Sequence, residues 1–365
     1  MKNFYNNELE KIIHSGLHDI KEITSCLNLD PEKISWSADL INSISKHKRA
    51  DFNKFAFRVS LYRPFTKQNL YFDSFVNWSQ YLMPLFFPKD TLDNLVIVTT
   101  GAGEKVGFSV LLTNVIPNRH SVSSSQCFPL YLYEENSVES NETDLFNQAE
   151  SSTTDGQYTR KDAISDAGLK HFQDAYPTET ISKEDIFYYV YGLLHSPKYR
   201  EAFAADLKKS LPRIPIVEDI DAFLDFSYAG KQLANLHLNY EEIPAYEGVT
   251  VIGDRQKEEA PDGRMIAGTT DLYAVKVDYK YYEVEKMRFP KKGQKDTIIY
   301  NSSIRIENIP DEAYEYIVNG KSAIEWIMER YQVKTDPSSL IKNDPNDWSR
   351  EHDNPRYILD LLLSV

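Results

Sequence analysis

The sequence predicts an α+β fold: a β-rich N-terminal half after short helices, a central helical segment, a second β-rich segment and C-terminal helices. Three observations carry this. Hydrophobic residues make up 41% and aromatics 13% of 365 residues, enough for a sizeable core and too many for a disordered chain. The hydrophobic period switches in long blocks between two and about 3.6, where βαβ units would alternate. Pro, Asn and Gly separate the short β-like runs.

Residues 4–25 and 31–49 read as helices. Asp30 is placed to cap the second, with Pro31 at its first position and Glu32 in its first turn. From 55 to 133 come short β runs: "FAFRVSLY", "NLYFDSFV", "NLVIVTT", "VGFSVLLT" and "CFPLYLY". Residues 136–180 are polar and acidic, an expected linker or mobile loop with a helix near 162–173. Ser182 with Asp185 opens a helix through "KEDIFYYVYGLLH" like a capping box. Ser196-Pro197 starts a second helix over "KYREAFAADLKKS", and a third spans about 219–239. Residues 248–309 return to strands. There "LYAVKVDYKYYEVEKMRF" and "TIIYNSSIRIENIP" form an expected long hairpin with a basic tip. Helices at 311–331 and 354–364 close the chain. The expected parts are 1–54, a helical lead-in; 55–135, a β-rich recognition part; 136–180, the acidic linker; and 181–365, a scaffold with a second recognition part.

The net charge is −14, but its distribution matters more. Residues 1–135 balance 14 basic against 14 acidic side chains; 136–180 hold 3 against 9, and 181–365 hold 24 against 32. Two runs oppose the overall sign. "KHKRADFNKFAFRVSLYRPFTK" (46–67) has seven basic residues and only Asp51 acidic; "KMRFPKKGQK" (286–295) has five and no acid. Each is either a solvated face or a grip on nucleic-acid backbone. The sequence shows neither an apolar leader nor a run of about 20 apolar residues. Its two cysteines, Cys26 and Cys127, are expected as separate thiols in a cytoplasmic protein.

Several chemistries can be tested against the residues. "VIVTTGAGEKVGFSVLLT" (97–114) has the three glycines Gly101, Gly103 and Gly107 after a β run. A nucleotide loop needs a helix next, whose N-terminal N–H groups hold phosphate. The residues after Gly107 are β-branched and strand-like, so the expected structure is a turn presenting Glu104 and Lys105. No cofactor and no metal is expected in this chain. Pro261-Asp262 with Asp278 and Lys280 matches a Mg²⁺ nuclease pattern, two carboxylates for the ion and a lysine for the phosphate, but the pattern is permissive. His14 and His18 are spaced four apart without a third ligand. No nucleophile elbow or P-loop is present, and "NDPNDW" (343–348) is not the motif with which amino-methylating enzymes grip a flipped base. "NVIPNRHSVSSSQCFPLYLY" (114–133) gathers Asn118, Arg119, His120, Ser124 and Gln126 between apolar runs. It reads as a polar loop or as a base-reading loop, since Arg pairs with guanine and Asn or Gln with adenine.

The runs "VSLYRPFTKQNLYFD", "MPLFFP" and "SQCFPLYLYEEN" resemble the C-terminal specificity region of type ISP restriction–modification enzymes. So does the stretch "EDIFYYVYGLLHSPKYREAFAADLKKSLPRIP" with "GKQLANLHLNYE", the most specific match. "NGKSAIEWIMERYQVK", "NDPNDWS" and "NPRYILDLLLSV" resemble its end, so the resemblance runs from about Phe4 to Val365. It implies a target-recognition domain for double-stranded DNA, with residues 1–54 leading in from the methyltransferase side. Nuclease, helicase and N6-adenine methyltransferase modules would be partners on the same or a separate polypeptide. S-adenosylmethionine, ATP and Mg²⁺ belong to those modules. The start at "MKNFYNN" then fits a truncated or split gene.

Residue type and position place base contacts at Lys105, Asn118, Arg119, His120, Ser124 and Gln126. Phosphate contacts fall on Arg58, Arg63, Lys67, Arg288, Lys291 and Lys292. Helices 182–240 are scaffold, with a further surface for the methyltransferase. No catalytic residue is assigned, no membrane is involved, and the isolated chain is expected to bind DNA weakly and salt-sensitively. The Mg²⁺ nuclease and a structural coupler without DNA contact remain the alternatives.

Overall fold

The computed structural model describes residues 1–136, 156–255 and 279–365. Helices α1 (Lys2–Ser15), α2 (Ile20–Cys26) and α3 (Ala38–Ser45) form a small N-terminal unit. Tyr5, Leu9 and Ile12 of α1 meet Ile23, Leu40 and Ile44 in its own core. The two helices expected here are shorter or broken. Gly16, left-handed at φ 65, ends α1. Asp30 caps only a turn, accepting from Glu32 N–H at 3.0 Å. Ser37 starts α3 instead, its hydroxyl accepting from Leu40 N–H at 3.2 Å. Between them Ile34 is drawn into the core and the Trp36 indole N–H is tied to Asn28 O at 2.9 Å, which holds the segment extended.

Strands β1 (Phe57–Arg63) and β2 (Thr66–Tyr71) form an antiparallel hairpin. β2 stops at Tyr71, short of the expected run, because Asp73 caps a turn. After α4 (Met83–Phe86) come β3 (Val96–Thr99), β4 (Val110–Thr113), β5 (Ile116–Pro117) and β6 (Gln126–Pro129). β5 lies parallel to β1, and a separate sheet runs in the order β4-β3-β6. β7 (Tyr131–Glu135) pairs with β8 (Tyr158–Asp162), which leads to α5 (Asp166–Ala175). The acidic linker expected over 136–180 is therefore structured from 156 on: Lys161 pairs with Glu134 at 2.6 Å and Arg160 packs over the Tyr131 ring. Residues 137–155 lie outside the described residues.

The central helices are α6 (Lys183–His195), α7 (Pro197–Ala202), α8 (Ala204–Leu207) and α9 (Ile220–Leu238). The capping box of Ser182 and Asp185 forms as expected. The helix expected after Pro197 breaks at Phe203, whose backbone leaves the helical region at φ −108, ψ 17. α6 and α9 cross backbone to backbone. A Cβ on Gly192 would collide with Phe226 O, and one on Gly230 with Tyr188 O.

In the last part β9 (Thr250–Ile252), β10 (Thr297–Ile299) and β11 (Arg305–Glu307) form a sheet of order β10-β11-β9. α10 (Tyr279–Tyr282) stands where the long alternating strand was expected. Of that strand, residues 272–278 lie outside the described residues, and only Arg288 keeps a bridge, to Ile299. The helical turn is held by its tyrosines: the Tyr281 and Tyr282 hydroxyls reach Gly253 O (2.7 Å) and Asp254 (3.0 Å). The expected helix 311–331 is likewise interrupted. β12 (Ile317–Val318) and β13 (Lys321–Ser322) meet at a tight turn, Asn319-Gly320, with φ 50 and 80. A second capping box, Ser322 with Glu325, then starts α11 (Ala323–Arg330). β14 (Lys334–Thr335), β15 (Lys342–Asn343), α12 (Asn346–Glu351) and α13 (Tyr357–Ser364) complete the chain. α13 is anchored by the buried Arg356, which pairs with Asp254 and, at 2.8 Å, with Asp360.

The β4-β3-β6 sheet is the wall between the two large cores. Strand alternation sends Val96, Val98 and Leu111 into a core with β10, β11, α11 and α13. It sends Ile97, Val110 and Leu112 into a second core with α6 and α9. Loops at the end of this sheet are thereby supported from both sides.

Candidate nucleic-acid interface

The β3–β4 connection contains the three glycines. β4 pairs antiparallel with β3, so the loop is a hairpin turn and offers no helix N-terminus to a phosphate. Thr100 and Ser109 close its neck: Thr100 N–H donates to Ser109 O and Ser109 N–H to the Thr100 hydroxyl, both at 3.0 Å. Gly103, left-handed at φ 81, donates its N–H to Lys208 O at 3.0 Å, which ties the loop to the end of α8.

The loop before β6 packs against it. Gly101 N–H donates to Ser123 O at 3.1 Å, and a Cβ on Gly101 would stand 2.5 Å from Ser124 O. Ser123 and Ser124 are both left-handed, at φ 66 and 42, a strained arrangement for residues with side chains. Val122, fully buried, pins this loop to the first core. Asn118 Oδ1 accepts from His120 N–H at 2.8 Å and from the Arg63 guanidinium at 3.3 Å. Between the loops sits Glu104. The Ser124 and Ser123 hydroxyls, the latter at 2.9 Å, hold its carboxyl below the usual range, and His120 adds to the effect.

The two loops singled out from sequence thus form one surface. Lys105, Arg119, His120 and Gln126 are exposed on it. Lys105, Arg119 and Gln126 make no side-chain hydrogen bond or ion pair among the described residues. Asn118 and Ser124 are half-buried and spend their polar groups on the loops themselves.

A third element was missed from sequence. The Asn319-Gly320 turn reaches the neck of the β3–β4 loop, where Asn319 N–H donates to the Ser109 hydroxyl at 2.8 Å. The "NG" dipeptide between two short β runs was the available signal.

The cations divide. The Arg58 guanidinium folds onto Phe57 O (2.9 Å), Phe55 O (2.5 Å) and Pro88 O (3.3 Å). Lys67 pairs with Glu241 at 2.5 Å and lies over the Tyr240 ring. Both hold the fold together and would have to leave these partners to meet a phosphate. Arg288, Lys291 and Lys292 stand exposed around a turn closed by Gln294 N–H to Lys291 O at 3.1 Å, with Gly293 at φ 87. None of the three has an ion pair among the described residues.

Side chains of β13 and α11 connect the two basic runs. Arg63, stacked on Tyr62, loses basicity through burial and through neighbouring Arg330. Arg330 and Lys321 both lie over the Trp326 ring and both pair with Glu329. Burial first, and Arg330 next, push Lys321 down. Glu325 then pairs with Lys295, at the base of the exposed tip, at 2.9 Å. Glu329 and Glu325 thus neutralise Lys321, Arg330 and Lys295 in a strip of mixed charge, and these three, like Lys67, would have to leave their partners to meet a phosphate. Lys321 and Arg330 carried no signal in sequence, because Arg330 meets Arg63, and Lys321 meets Arg330, only through tertiary packing.

The other candidates fare differently. Asp262 and Asp278 lie outside the described residues, while Lys280 is in α10. No cluster of metal-ligating residues occurs among the described residues. His14 binds Glu10 O of its own helix, and His18 faces His47. Cys26 and Cys127 are free, and burial pushes the Cys127 thiol up to about 12. Among the described residues no helix is long and apolar enough to cross a membrane.

Comparison with known proteins gives a consistent result. The family described as Type ISP C-terminal specificity domain matches residues 1–361. A solved nuclease-deletion mutant of the Type ISP restriction-modification enzyme LlaGI, in complex with a DNA substrate mimic, is 36% identical with a TM-score of 0.77. The match covers 100% of this chain and 28% of that one. The ATP-dependent Type ISP enzyme LlaBIII bound to DNA is 34% identical with a TM-score of 0.76, over 99% of this chain and 21% of that one. A DrdV–DNA complex is 27% identical with a TM-score of 0.73, over 100% and 32%. The chain thus spans about a fifth to a third of the length of these solved structures. No curated protein matched it.

Proposed function

The chain belongs to the family of Type ISP C-terminal specificity domains, and on that premise we propose that it selects a double-stranded DNA sequence for a Type ISP restriction–modification enzyme. The observation that carries this reading is the joint between the two polar loops. Base edges in the major groove are read by donors and acceptors held at fixed positions. Here Gly101, Ser123 and Ser124 lock one loop to the other, and the exposed Lys105, Arg119, His120 and Gln126 project from the joint. Asn118 and Ser124 act through loop shape. Phosphates ask only for positive charge along a path. Arg63 and the exposed Arg288, Lys291 and Lys292 provide it, with Arg58, Lys67, Lys295, Lys321 and Arg330 as braces that have partners of their own.

On this reading the chain makes and breaks no bonds. Nuclease, translocase and methyltransferase work, with S-adenosylmethionine, ATP and Mg²⁺, falls to other modules. The test is selection by the purified 365-residue chain from a pool of randomised duplexes at low salt. One short sequence should be enriched, and log K should fall with log salt at a slope of about −3 to −5. A chain that enriches nothing would overturn the proposal.

A further inference from the structure

Glu104 is the one acidic residue between Asp93 and Glu134, and it stands in the middle of the basic loop surface. A carboxylate near DNA is repelled by phosphates, so a surface that only grips backbone gains nothing from one. This one is nonetheless fixed in place. Ser123 and Ser124 both hold it with their hydroxyls, and both adopt left-handed backbone to do so. Gly101 leaves the room without which Ser124 could not approach. Strain gathered around a half-exposed polar group is a mark of function.

The chemistry narrows the role. A carboxylate only accepts hydrogen bonds, and has about four acceptor positions. The two serines take two, leaving the others for a partner in the groove. Cytosine N4 and adenine N6 present amino donors there, whereas guanine O6 and thymine O4 are acceptors that a carboxylate repels. We infer that Glu104 is a specificity-determining residue that accepts the exocyclic amino group of a cytosine or adenine and rejects keto-bearing bases at that position. Lys105, next in the chain, has the charge suited to the keto base across the same pair.

This inference rests on the DNA-reading proposal above, and the experiment separates the two. Wild-type chain and Glu104→Ala are each used to select from the randomised duplex pool, with thermal melting as a control for folding. At one position where the wild type prefers C or A, the variant should lose discrimination by about tenfold or more, while its affinity for unselected DNA stays level or rises. The double variant Ser123→Ala with Ser124→Ala keeps the carboxylate but loosens it, and should weaken preference at the same position by less. A variant that enriches the wild-type sequence unchanged overturns the role of Glu104 alone. A wild-type chain that enriches nothing overturns the DNA reading and this inference with it.

Discussion

The loop joint at 100–126 and the basic tip at 286–295 are both polar, exposed and rich in cations, yet they are built in opposite ways. The joint is closed on itself by Ser123 on Gly101 and tied to three neighbours: Lys208 on Gly103, Asn319 on Ser109 and Arg63 on Asn118. It also rests on a sheet shared by two cores. The tip is a single turn whose Arg288, Lys291 and Lys292 stand in solvent. The difference matches the demands of the two kinds of contact. Telling one base from another requires donors fixed to a fraction of an ångström, while a phosphate's charge is felt over about 8–10 Å at physiological salt.

The largest effect expected from this contrast is on acid stability. Behind the joint, the half-buried His195 and His237 are enclosed by buried Tyr191 and by Tyr316 and Arg200, and Tyr316 donates to Val110 O at 3.4 Å. Burial pushes His195 down from 6.5 to about 3 and His237 to about 4. Both are neutral in the folded protein, whereas the unfolded chain takes up protons below about 6.5. The stability they contribute is therefore complete above that pH and is lost as pH falls toward 4, by several kcal/mol in order of magnitude. Urea midpoints measured from pH 7 to 4 should fall steeply in the wild type, and less in a His237→Gln variant. Equal slopes would show that the support of the joint does not depend on this cluster.

Next in size is a pair of glycine substitutions. Gly101→Ala forces a methyl against Ser124 O and should cost about 2 kcal/mol of stability together with most sequence preference. Gly293→Ala meets nothing within 4 Å, and its φ of 87 should cost about 1 kcal/mol while sequence preference stays intact. Melting curves and duplex selection on both variants check the contrast; equal losses of preference would break it.

The smallest structural effect should come from replacing Lys291 and Lys292 by Ala. Stability should stay within about 0.5 kcal/mol, all DNA sequences should bind equally more weakly, and the salt slope should flatten by about 2. Binding titrations on several duplexes over a range of salt concentrations would show it. A loss confined to one sequence would mean that the tip reads bases.

The sequence made some of this legible and hid the rest, for physical reasons. The β-branched runs around Val96 and Val110 announced strands, and the strand-like residues after Gly107 pointed to the hairpin turn that forms there. The residues of both polar loops were visible because they are local. The partners of Arg58 and Lys67 were hidden because charge alone does not show one: Lys67 finds Glu241, 174 positions away. The helix expected over 311–331 failed at Asn319-Gly320, where a local turn outweighed helical periodicity, and the same turn became a third side of the joint. The strip through Arg330 and Lys321 existed only once α11 had packed against Arg63.

The division between reading and gripping is tested most directly by Arg119→Ala, measured against a set of duplexes that differ from the selected sequence one base pair at a time. Discrimination should fall by about 1–3 kcal/mol at one position and stay unchanged at the others. A uniform loss at every position would place Arg119 on the backbone and contradict base reading by this loop.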